Sequence, residues 1–218
     1  MKTRLKLIAL ALVVGFPLLA QNIFIIGDSH VAGKIYPQEI KKIIEEAKPE
    51  AHVSFWGKNG AGFYTFNKNA AYMENIFKAT PDILVVHLGT NGSYQDSIDP
   101  DKTYEDIETF YNNIMEKLPD CKIVFVSPFY NKIRGGQGKR SSSAWKMNEN
   151  AGAFSDILSD FVKENSNTFL VDNNIDADTL FIDSPDLIRQ DNVHLTVKGY
   201  QVLGDLVADE LLQIQDLW

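Results

Sequence analysis

Short apolar segments alternate with amphipathic segments along the chain after position 20. The apolar segments are four to six residues long and mostly lack a polar face, which is typical of strands that are buried on both sides of a sheet. Because helical patterns separate them, they favour a parallel sheet with helices on both faces. The sequence therefore predicts a three-layer α/β/α fold with a five-stranded parallel sheet in the flavodoxin-like order 2-1-3-4-5. The predicted strands are Ile23–Ile26, His52–Trp56, Ile83–Leu88, Lys122–Val126 and Thr168–Val171.

Two of the intervening helices can be placed from their own patterns. One is predicted over Thr103–Leu118, where apolar residues recur on one face, Thr103 with Asp106 resembles a capping box, and Pro119 ends the helix. The other is predicted to begin at Thr196 and to bury one face that consists of Tyr200, Leu203, Leu206, Val207 and Leu211. No internal repeat and no linker divides the sequence, so residues 21–218 are expected to form one domain.

The first 20 residues have the layout of a secretory signal peptide. Three basic residues precede an apolar run, Leu7–Val14. A segment with small residues, as found at signal-peptide cleavage sites, follows and ends at Ala20. The alternative is an uncleaved membrane anchor, although the run is marginally short for a span, which needs about 20 residues. We expect residues 1–20 to be a signal peptide. The mature protein would then be secreted or periplasmic, without stable membrane insertion.

Charge and cysteine content exclude several classes of function. Of the 21 basic and 29 acidic residues, three basic and no acidic ones lie in the first 20 positions, so the rest of the chain carries a formal net charge of −11. Such a surface repels nucleic acid, and no basic stripe opposes this. Cys121 is the only cysteine, which rules out an intramolecular disulfide and a Cys/His metal cluster. The sequence implies no metal and no organic cofactor, and it leaves the oligomeric state open.

Chemically useful groups follow each of the first three predicted strands. These are the tripeptide Gly27-Asp28-Ser29, the glycine-rich turn Gly57–Gly62 and the tripeptide Gly89-Thr90-Asn91. In a sheet of this order the first three strands are neighbours, and ligands bind beyond their carboxyl ends. A hydroxyl, backbone N–H groups and a side-chain amide are therefore expected to meet at one edge. Such donors form an oxyanion hole in acyl-transfer enzymes.

A carboxylate and an imidazole lie three residues apart near the end of the chain, at Asp191 and His194. Serine is a poor nucleophile until a base takes its proton, and an imidazole serves best when a carboxylate fixes its tautomer. With Ser29, these residues supply the parts of a catalytic triad. The chemistry expected from them is acyl transfer, most simply ester hydrolysis.

These four segments, in this order, resemble the four sequence blocks of the SGNH/GDSL hydrolase family. The resemblance extends over nearly the whole of residues 21–218. It implies that Ser29 is the nucleophile and that the oxyanion donors are the N–H groups of Ser29 and Gly60 and the side-chain amide of Asn91. Gly62 is the competing alignment for Gly60.

The last block, Asp191-Asn-Val-His194-Leu-Thr-Val-Lys-Gly-Tyr, implies that His194 is the base and that Asp191 orients it. One departure lies in the third block. The family usually has an Asp after the Asn, where it is expected to brace the loop, whereas this chain has Gly92.

The resemblance implies a secreted serine esterase acting on a small-molecule or glycan ester, with acetyl groups on a carbohydrate as the expected target. Segments rich in Gly, Asn, Ser and aromatic residues after the second to fourth strands suit short acyl groups better than long ones. The alternatives are an O-acyltransferase on a cell-surface glycan, a lipase or thioesterase, and a non-catalytic glycan-binding module.

Several other residues near these blocks have two possible roles. His30 is expected to cap a helix rather than to contact substrate, and His52 and His87 are expected to be structural histidines with satisfied ring nitrogens. The segment Asn131–Ser143 is either a lid or a solvated loop. Six aromatic residues could line the cleft or pack in the core: Trp56, Phe63, Tyr64, Tyr94, Phe129 and Tyr130.

Overall fold

The computed structural model describes residues 20–92, 98–129, 142–173, 184–191 and 193–218. It contains one five-stranded parallel sheet in the order β2-β1-β3-β4-β5, so the predicted strands and their order are confirmed. The strands are β1 (Gln21–Gly27), β2 (Ala51–Gly57), β3 (Ile83–His87), β4 (Lys122–Val126) and β5 (Thr168–Val171).

Helices cover both faces of the sheet. Those in the described part of the chain are α1 (Ser29–Ala32), α2 (Ile35–Ala47), α3 (Phe63–Lys68), α4 (Ala70–Ala79), α5 (Pro100–Lys117), α6 (Ser142–Glu164) and α7 (Val197–Gln213). Short 3₁₀ turns lie at Pro185–Leu187 and Gln215–Leu217.

The apolar strands are buried because alternate side chains enter two separate cores. In β1, Ile23 and Ile25 pack with residues of α2 and α7 on one face. Phe24 and Ile26 pack with residues of α3 to α6 on the other face. Successive side chains of a strand point to opposite faces, so a strand between two helical layers has to be apolar throughout.

The two helix starts predicted from sequence have different outcomes. Helix α7 begins directly after Thr196, whose side chain accepts a hydrogen bond from the Gly199 N–H at 3.2 Å, as predicted. The predicted cap at Thr103 is wrong, because α5 begins at Pro100. Asp99 caps this helix by accepting a hydrogen bond from the Lys102 N–H at 3.1 Å. Proline suits the first helical position because its missing N–H would have no partner there.

The register of the sheet aligns the ends of its three neighbouring strands. Gly27 at the end of β1 pairs with Gly57 of β2 on one side and with His87 of β3 on the other. The backbone of α1 then packs directly on the end of β2, since a Cβ atom on Gly57 would lie 2.3 Å from the Ala32 nitrogen. Only glycine permits this approach, which brings the segments after β1, β2 and β3 together.

Some predictions concern residues outside the described ranges. The predicted signal peptide lies outside the described ranges except for Ala20. Tyr94, Tyr130 and most of the segment Asn131–Ser143 also lie outside them. Within the described ranges, no helix is both long enough and apolar enough to cross a bilayer.

Candidate active site

Ser29 lies at the sharp transition from β1 to α1. The strand ends at Gly27, and Ser29 is the first residue of the short helix. Asp28 caps this helix, because its Oδ1 accepts the N–H of His30 at 3.0 Å. The first N–H groups of a helix have no partner within it. The Ser29 N–H is therefore available as a donor at the edge of the sheet.

The structure brings Ser29, His194 and Asp191 together. The Oγ of Ser29 lies 2.9 Å from Nε2 of His194, and Nδ1 of His194 lies 3.1 Å from Oδ2 of Asp191. An ionised carboxylate can only accept, so Nδ1 carries the proton and Nε2 presents its lone pair to the serine hydroxyl. This is the geometry that a nucleophile, a base and an orienting carboxylate require.

The carboxylate of Asp191 is held in its ionised form by local hydrogen bonds. Burial acts to raise its pKa, but hydrogen bonds from the backbone N–H groups of His194 and Val193 and from the His194 ring outweigh this and hold the pKa below its ordinary value. The two backbone bonds to Oδ1 measure 2.8 Å from His194 and 2.9 Å from Val193. The carboxylate thus orders its own loop as well as the imidazole.

A short antiparallel pairing closes the loop that carries His194. Ile188 and Leu195 form an isolated β-bridge, and the Arg189 N–H donates to the His194 carbonyl at 2.9 Å. The Thr196 N–H donates to the Leu187 carbonyl at 2.8 Å, directly before α7. The imidazole is therefore fixed from both ends of its loop.

Gly60 and Gly62 differ in what their N–H groups do. The Gly62 N–H donates to Oγ1 of Thr65 at 3.2 Å, at the start of α3. No hydrogen bond of the Gly60 N–H is present among the described residues. Gly60 has a φ of +75°, a conformation that favours glycine, and it lines the same cavity as Ser29. Gly60 is therefore the better placed of the two alternatives.

Asn91 also lines this cavity, and two contacts hold its side-chain amide. Nδ2 donates to the Ala61 carbonyl at 2.9 Å and, less closely, to Oδ2 of Asp28 at 3.4 Å. Gly92 supplies no side chain to brace this loop, so Asp28 and Ala61 provide the support instead. The longer contact is the weaker of the two. One N–H of Asn91 can therefore turn to a stronger acceptor.

The carboxyl group of Asp28 is fully buried beneath these donors. Burial raises the pKa of Asp28 to about 7, although the hydrogen bond from the His30 N–H acts in the opposite direction. Asp28 therefore has a supporting position that its place inside the Gly-Asp-Ser tripeptide does not reveal by itself.

A buried aromatic and imidazole cluster lies beneath His194. The His30 ring centroid is 5.5 Å from that of His194, and Nδ1 of His30 is hydrogen-bonded to the Tyr200 hydroxyl at 3.0 Å. The prediction that His30 caps a helix is wrong, because Asp28 does so and the His30 side chain is buried. His30 and Tyr200 thus form the packing surface behind the imidazole.

The other two histidines also differ from expectation. His87 is buried, yet neither ring nitrogen has a hydrogen-bond partner in the described structure. Burial lowers the pKa of His87 to about 4. His52 is exposed, with Nδ1 3.8 Å from a carboxylate oxygen of Glu45. The expectation of satisfied ring nitrogens is therefore wrong for His87.

A cavity of about 790 Å³ opens above the triad. A second cavity, of about 220 Å³, shares Gly60 and Asn91 with the first, so these two residues lie between the cavities. The lining of the larger cavity includes Ser29, Gly60 and Asn91 and also Arg189, Leu195 and Val197. Arg189 was missed in the sequence, although it stands two residues before Asp191.

The predicted cleft aromatics divide between the core and the surface. Phe63 and Phe129 are buried, Trp56 is half-buried against Phe66, and Tyr64 is 54% exposed and lines the smaller cavity. In the described part of the chain, no group of three or more His, Cys, Asp or Glu side chains is arranged to hold a metal ion.

Comparison with solved structures shows a common fold. A peptidoglycan O-acetylesterase is similar at a TM-score of 0.72 and 13% identity, covering 90% of this chain and 91% of that one. A catalytic mutant of an acetylxylan esterase from Geobacillus stearothermophilus gives a TM-score of 0.70 at 16% identity, covering 88% and 94%. The lipase/acylhydrolase from Enterococcus faecalis gives 0.60 at 20% identity, covering 87% and 95%.

A search of curated protein sequences found no match. The model of the GDSL-like Lipase/Acylhydrolase family matches residues 25–202, a span that includes every candidate site residue described above. The chain therefore belongs to the GDSL-like lipase/acylhydrolase family.

Proposed function

We propose that this protein is a serine esterase that removes short acyl groups, acetyl above all, from a carbohydrate. The observation that carries the proposal is the hydrogen-bonded chain from Ser29 through His194 to Asp191, with distances of 2.9 Å and 3.1 Å. This chain lies at the floor of an open cavity.

In the first half of the proposed reaction, Oγ of Ser29 attacks the ester carbonyl carbon while Nε2 of His194 takes the hydroxyl proton. The carbonyl oxygen becomes an oxyanion, which the N–H groups of Ser29 and Gly60 and the amide of Asn91 stabilise. Asn91 exchanges its 3.4 Å contact with Asp28 for this stronger acceptor. The Nε2 proton then passes to the alcohol oxygen as its bond to the acyl carbon breaks.

In the second half, water attacks the acyl-Ser29 ester and His194 takes a proton from it. The second tetrahedral intermediate collapses, the proton returns to Oγ of Ser29, and the carboxylic acid leaves. The His194 side chain is 31% exposed, so water reaches Nε2 from the cavity. Water that enters the cavity can therefore serve as the acyl acceptor.

The lining of the two cavities supports a short acyl group. Glycine, asparagine, threonine and serine make up about half of the described residues that line each cavity, and the apolar residues of the larger lining are Ala32, Ile35, Leu195, Val197 and Tyr200. Burying each additional methylene would stabilise a fatty ester by about 0.8 kcal/mol only where an apolar wall receives it. This argues against a lipase or a long-chain thioesterase.

A carbohydrate target and a location outside the cytoplasm rest on separate support. The similar solved structures include a peptidoglycan O-acetylesterase and an acetylxylan esterase. The sequence of residues 1–20 supports export, and we propose that they are a signal peptide preceding one hydrolase domain at 21–218. N-terminal sequencing of protein recovered outside the cytoplasm tests this, and a chain that retains residues 1–20 would contradict it.

The substrate class is tested with two sets of esters at fixed pH. For a nitrophenyl series, we expect the highest kcat/KM on acetate, a fall through propionate to butyrate, and little activity on octanoate. For acetylated glycans, we expect release of acetate, and no acyl transfer when an acceptor sugar is added. A maximum at eight carbons or beyond would favour a lipase, transfer to the sugar would favour an acyltransferase, and no turnover of any ester would favour a binding module.

A further inference from the structure

We propose that Arg189 binds a carboxylate carried by the sugar of the substrate, so that the preferred substrate is an O-acetylated acidic glycan. This inference rests on the proposed esterase function and adds the chemical class of the alcohol. Arg189 lines the large cavity together with Ser29 and His194.

The direction of proton transfer places the sugar beside Arg189. The carbonyl oxygen faces Gly60 and Asn91, and the alcohol oxygen must face Nε2 of His194 to receive its proton. The alcohol therefore extends along the part of the cavity that is lined by the loop carrying His194 and Arg189 and by the start of α7. A volume of about 790 Å³ exceeds what an acetyl group needs and falls within the range of roughly 300–1,000 Å³ typical of ligand sites.

The charge of the cavity differs from that of the chain as a whole. The chain has 29 acidic residues and a negative net charge, yet no carboxylate is present among the described residues that line this cavity. Arg189 is the one lysine or arginine among them. The smaller cavity, by contrast, includes Asp106 in its lining and no arginine or lysine. An anion is thus favoured on the alcohol side of Ser29.

The guanidinium of Arg189 retains free donors. Its Nε lies 3.8 Å from Oδ2 of Asp191, and its side chain is 62% exposed, so this ion pair is weak. Both oxygens of Asp191 already accept closer hydrogen bonds from the loop backbone and from His194. The remaining N–H groups of the guanidinium form a planar fork that matches a carboxylate.

The backbone of Arg189 is tied to the catalytic loop. Its N–H donates to the carbonyl of His194 at 2.9 Å, next to the bridge between Ile188 and Leu195. This bond holds the backbones of Arg189 and His194 next to each other, so both side chains project from the same short segment of the cavity lining. A carboxylate bound by Arg189 would place the acetylated hydroxyl of the same sugar chain near Nε2 of His194.

Lys198 provides a matched control. Like Arg189, it is a strongly exposed cation, and it lies nearby in the sequence at the start of α7. Unlike Arg189, it pairs with Asp186 at 3.1 Å and does not line the cavity. If a positive charge anywhere near the cavity were enough to attract an anionic substrate, removal of either charge would lower the preference for that substrate equally.

The test compares substrates that differ only in charge. The full-length mature protein is assayed on acetylated oligogalacturonides with free carboxylates and on the same oligosaccharides after methyl esterification of those carboxylates. A second pair is O-acetylated N-acetylmuramic acid and its methyl ester, which distinguishes a uronic acid from an ether-linked acid as the source of the carboxylate. The measured quantity is the ratio of kcat/KM for the free acid to that for the methyl ester.

We expect the wild type to favour the free acid of at least one pair by about ten-fold, the size of one charge-assisted contact at an exposed site. Arg189→Gln should lower the ratio to about one, Arg189→Lys should give an intermediate ratio because the fork is lost, and Lys198→Gln should keep the wild-type ratio. Added salt should lower the wild-type ratio.

Two results would overturn the inference while leaving the esterase proposal intact: a wild-type ratio near one or below on both pairs, or an equal fall in Arg189→Gln and Lys198→Gln. Hydrolysis of nitrophenyl acetate without hydrolysis of any acetylated glycan would overturn both the inference and the carbohydrate assignment.

Discussion

The two sides of the candidate active site are built in different ways. The nucleophile side, formed by the segments after β1, β2 and β3, rests on aligned strand ends and on the fully buried Asp28. The base side, residues 186–191 and 193–196, buries Leu187 and Leu195 but leaves Asp191 and His194 partly exposed to solvent. The side chain of Asp191 is 40% exposed and that of His194 is 31% exposed, and local hydrogen bonds hold them.

The packing of the sheet therefore sets the positions of the residues on the nucleophile side, whereas hydrogen bonds within one loop set those on the base side. On the nucleophile side, a change at Gly57 or Asp28 also disturbs the sheet edge, because the α1 backbone packs against Gly57 and the Asp28 side chain is fully buried. On the base side, residues can be changed with little effect on the core. Stability and activity should therefore change together when a fully buried residue of the nucleophile side is replaced, whereas on the base side stability should fall only when a substitution removes the hydrogen bonds that order the loop.

The largest effects are expected from Ser29→Ala and His194→Ala. Because the two residues act as a unit, each substitution should lower kcat on nitrophenyl acetate by about 10⁵–10⁶-fold, with little change in the unfolding temperature. A fluorophosphonate should label the wild type at Ser29 and leave Ser29→Ala unlabelled. An adduct on another serine, or activity retained in either variant, would contradict the assignment.

Asp191→Asn should have the next largest effect on kcat. This variant distinguishes the role of Asp191 in ordering its loop from its role in fixing the His194 tautomer. The amide oxygen can still accept the N–H groups of Val193 and His194, but the amide nitrogen would face Nδ1 of His194 and disfavour the required tautomer. We expect kcat to fall by about 10³–10⁴-fold while the unfolding temperature stays unchanged. Asp191→Ala should also lower the unfolding temperature, since it removes the loop hydrogen bonds. Equal stability of the two variants would show that the carboxylate does not order the loop.

On the nucleophile side, Asn91→Ala should lower kcat by about 10²–10³-fold with little change in KM, the effect of losing one oxyanion donor. Asp28→Asn should have a smaller effect on kcat, because it removes the support at 3.4 Å but leaves the Ala61 carbonyl as an acceptor for Asn91. A change confined to KM in Asn91→Ala would mean that Asn91 binds the ground-state ester instead.

The smallest effect is on stability and concerns His87 at the end of β3. Burial lowers the pKa of His87 from 6.5 to about 4, so the folded protein keeps this ring neutral where the unfolded chain protonates it. The stability contribution is therefore present above pH 6.5 and is lost as the pH falls toward 4. Between pH 8 and pH 5 the loss should be about 2 kcal/mol.

His87→Leu removes the buried ring nitrogens at similar volume and should abolish this part of the pH dependence. The measurement is the free energy of unfolding by denaturant at pH 8 and pH 5, compared between the variant and the wild type. The same fall in stability for both proteins would show that His87 does not titrate as described.

The strands could be predicted from the sequence because they depend on local patterns, and their order could be predicted because doubly wound sheets share a few common orders. A run such as Ile83–Leu88 has no polar face, and only a strand covered on both sides buries it. The helix cap at Thr103 was wrong for a local reason, since the pair Asp99-Pro100 gives a stronger start three residues earlier. The role of His30 could not be predicted, because its partner Tyr200 lies 170 positions away.

The sequence by itself determined the residue types of the site and their association with strand ends. Ser29, Asn91 and His194 stand in recognisable blocks, and the carboxyl ends of parallel strands converge whatever the details of packing. The tertiary structure alone decided which donors are available. Among the described residues, the N–H of Gly62 is used at the start of α3 while that of Gly60 has no acceptor. Asp28 accepts a contact from the Asn91 amide at 3.4 Å, and Arg189 lines the cavity. Hydrogen bonding and burial depend on distances between segments far apart in the chain, and only the folded packing sets those distances.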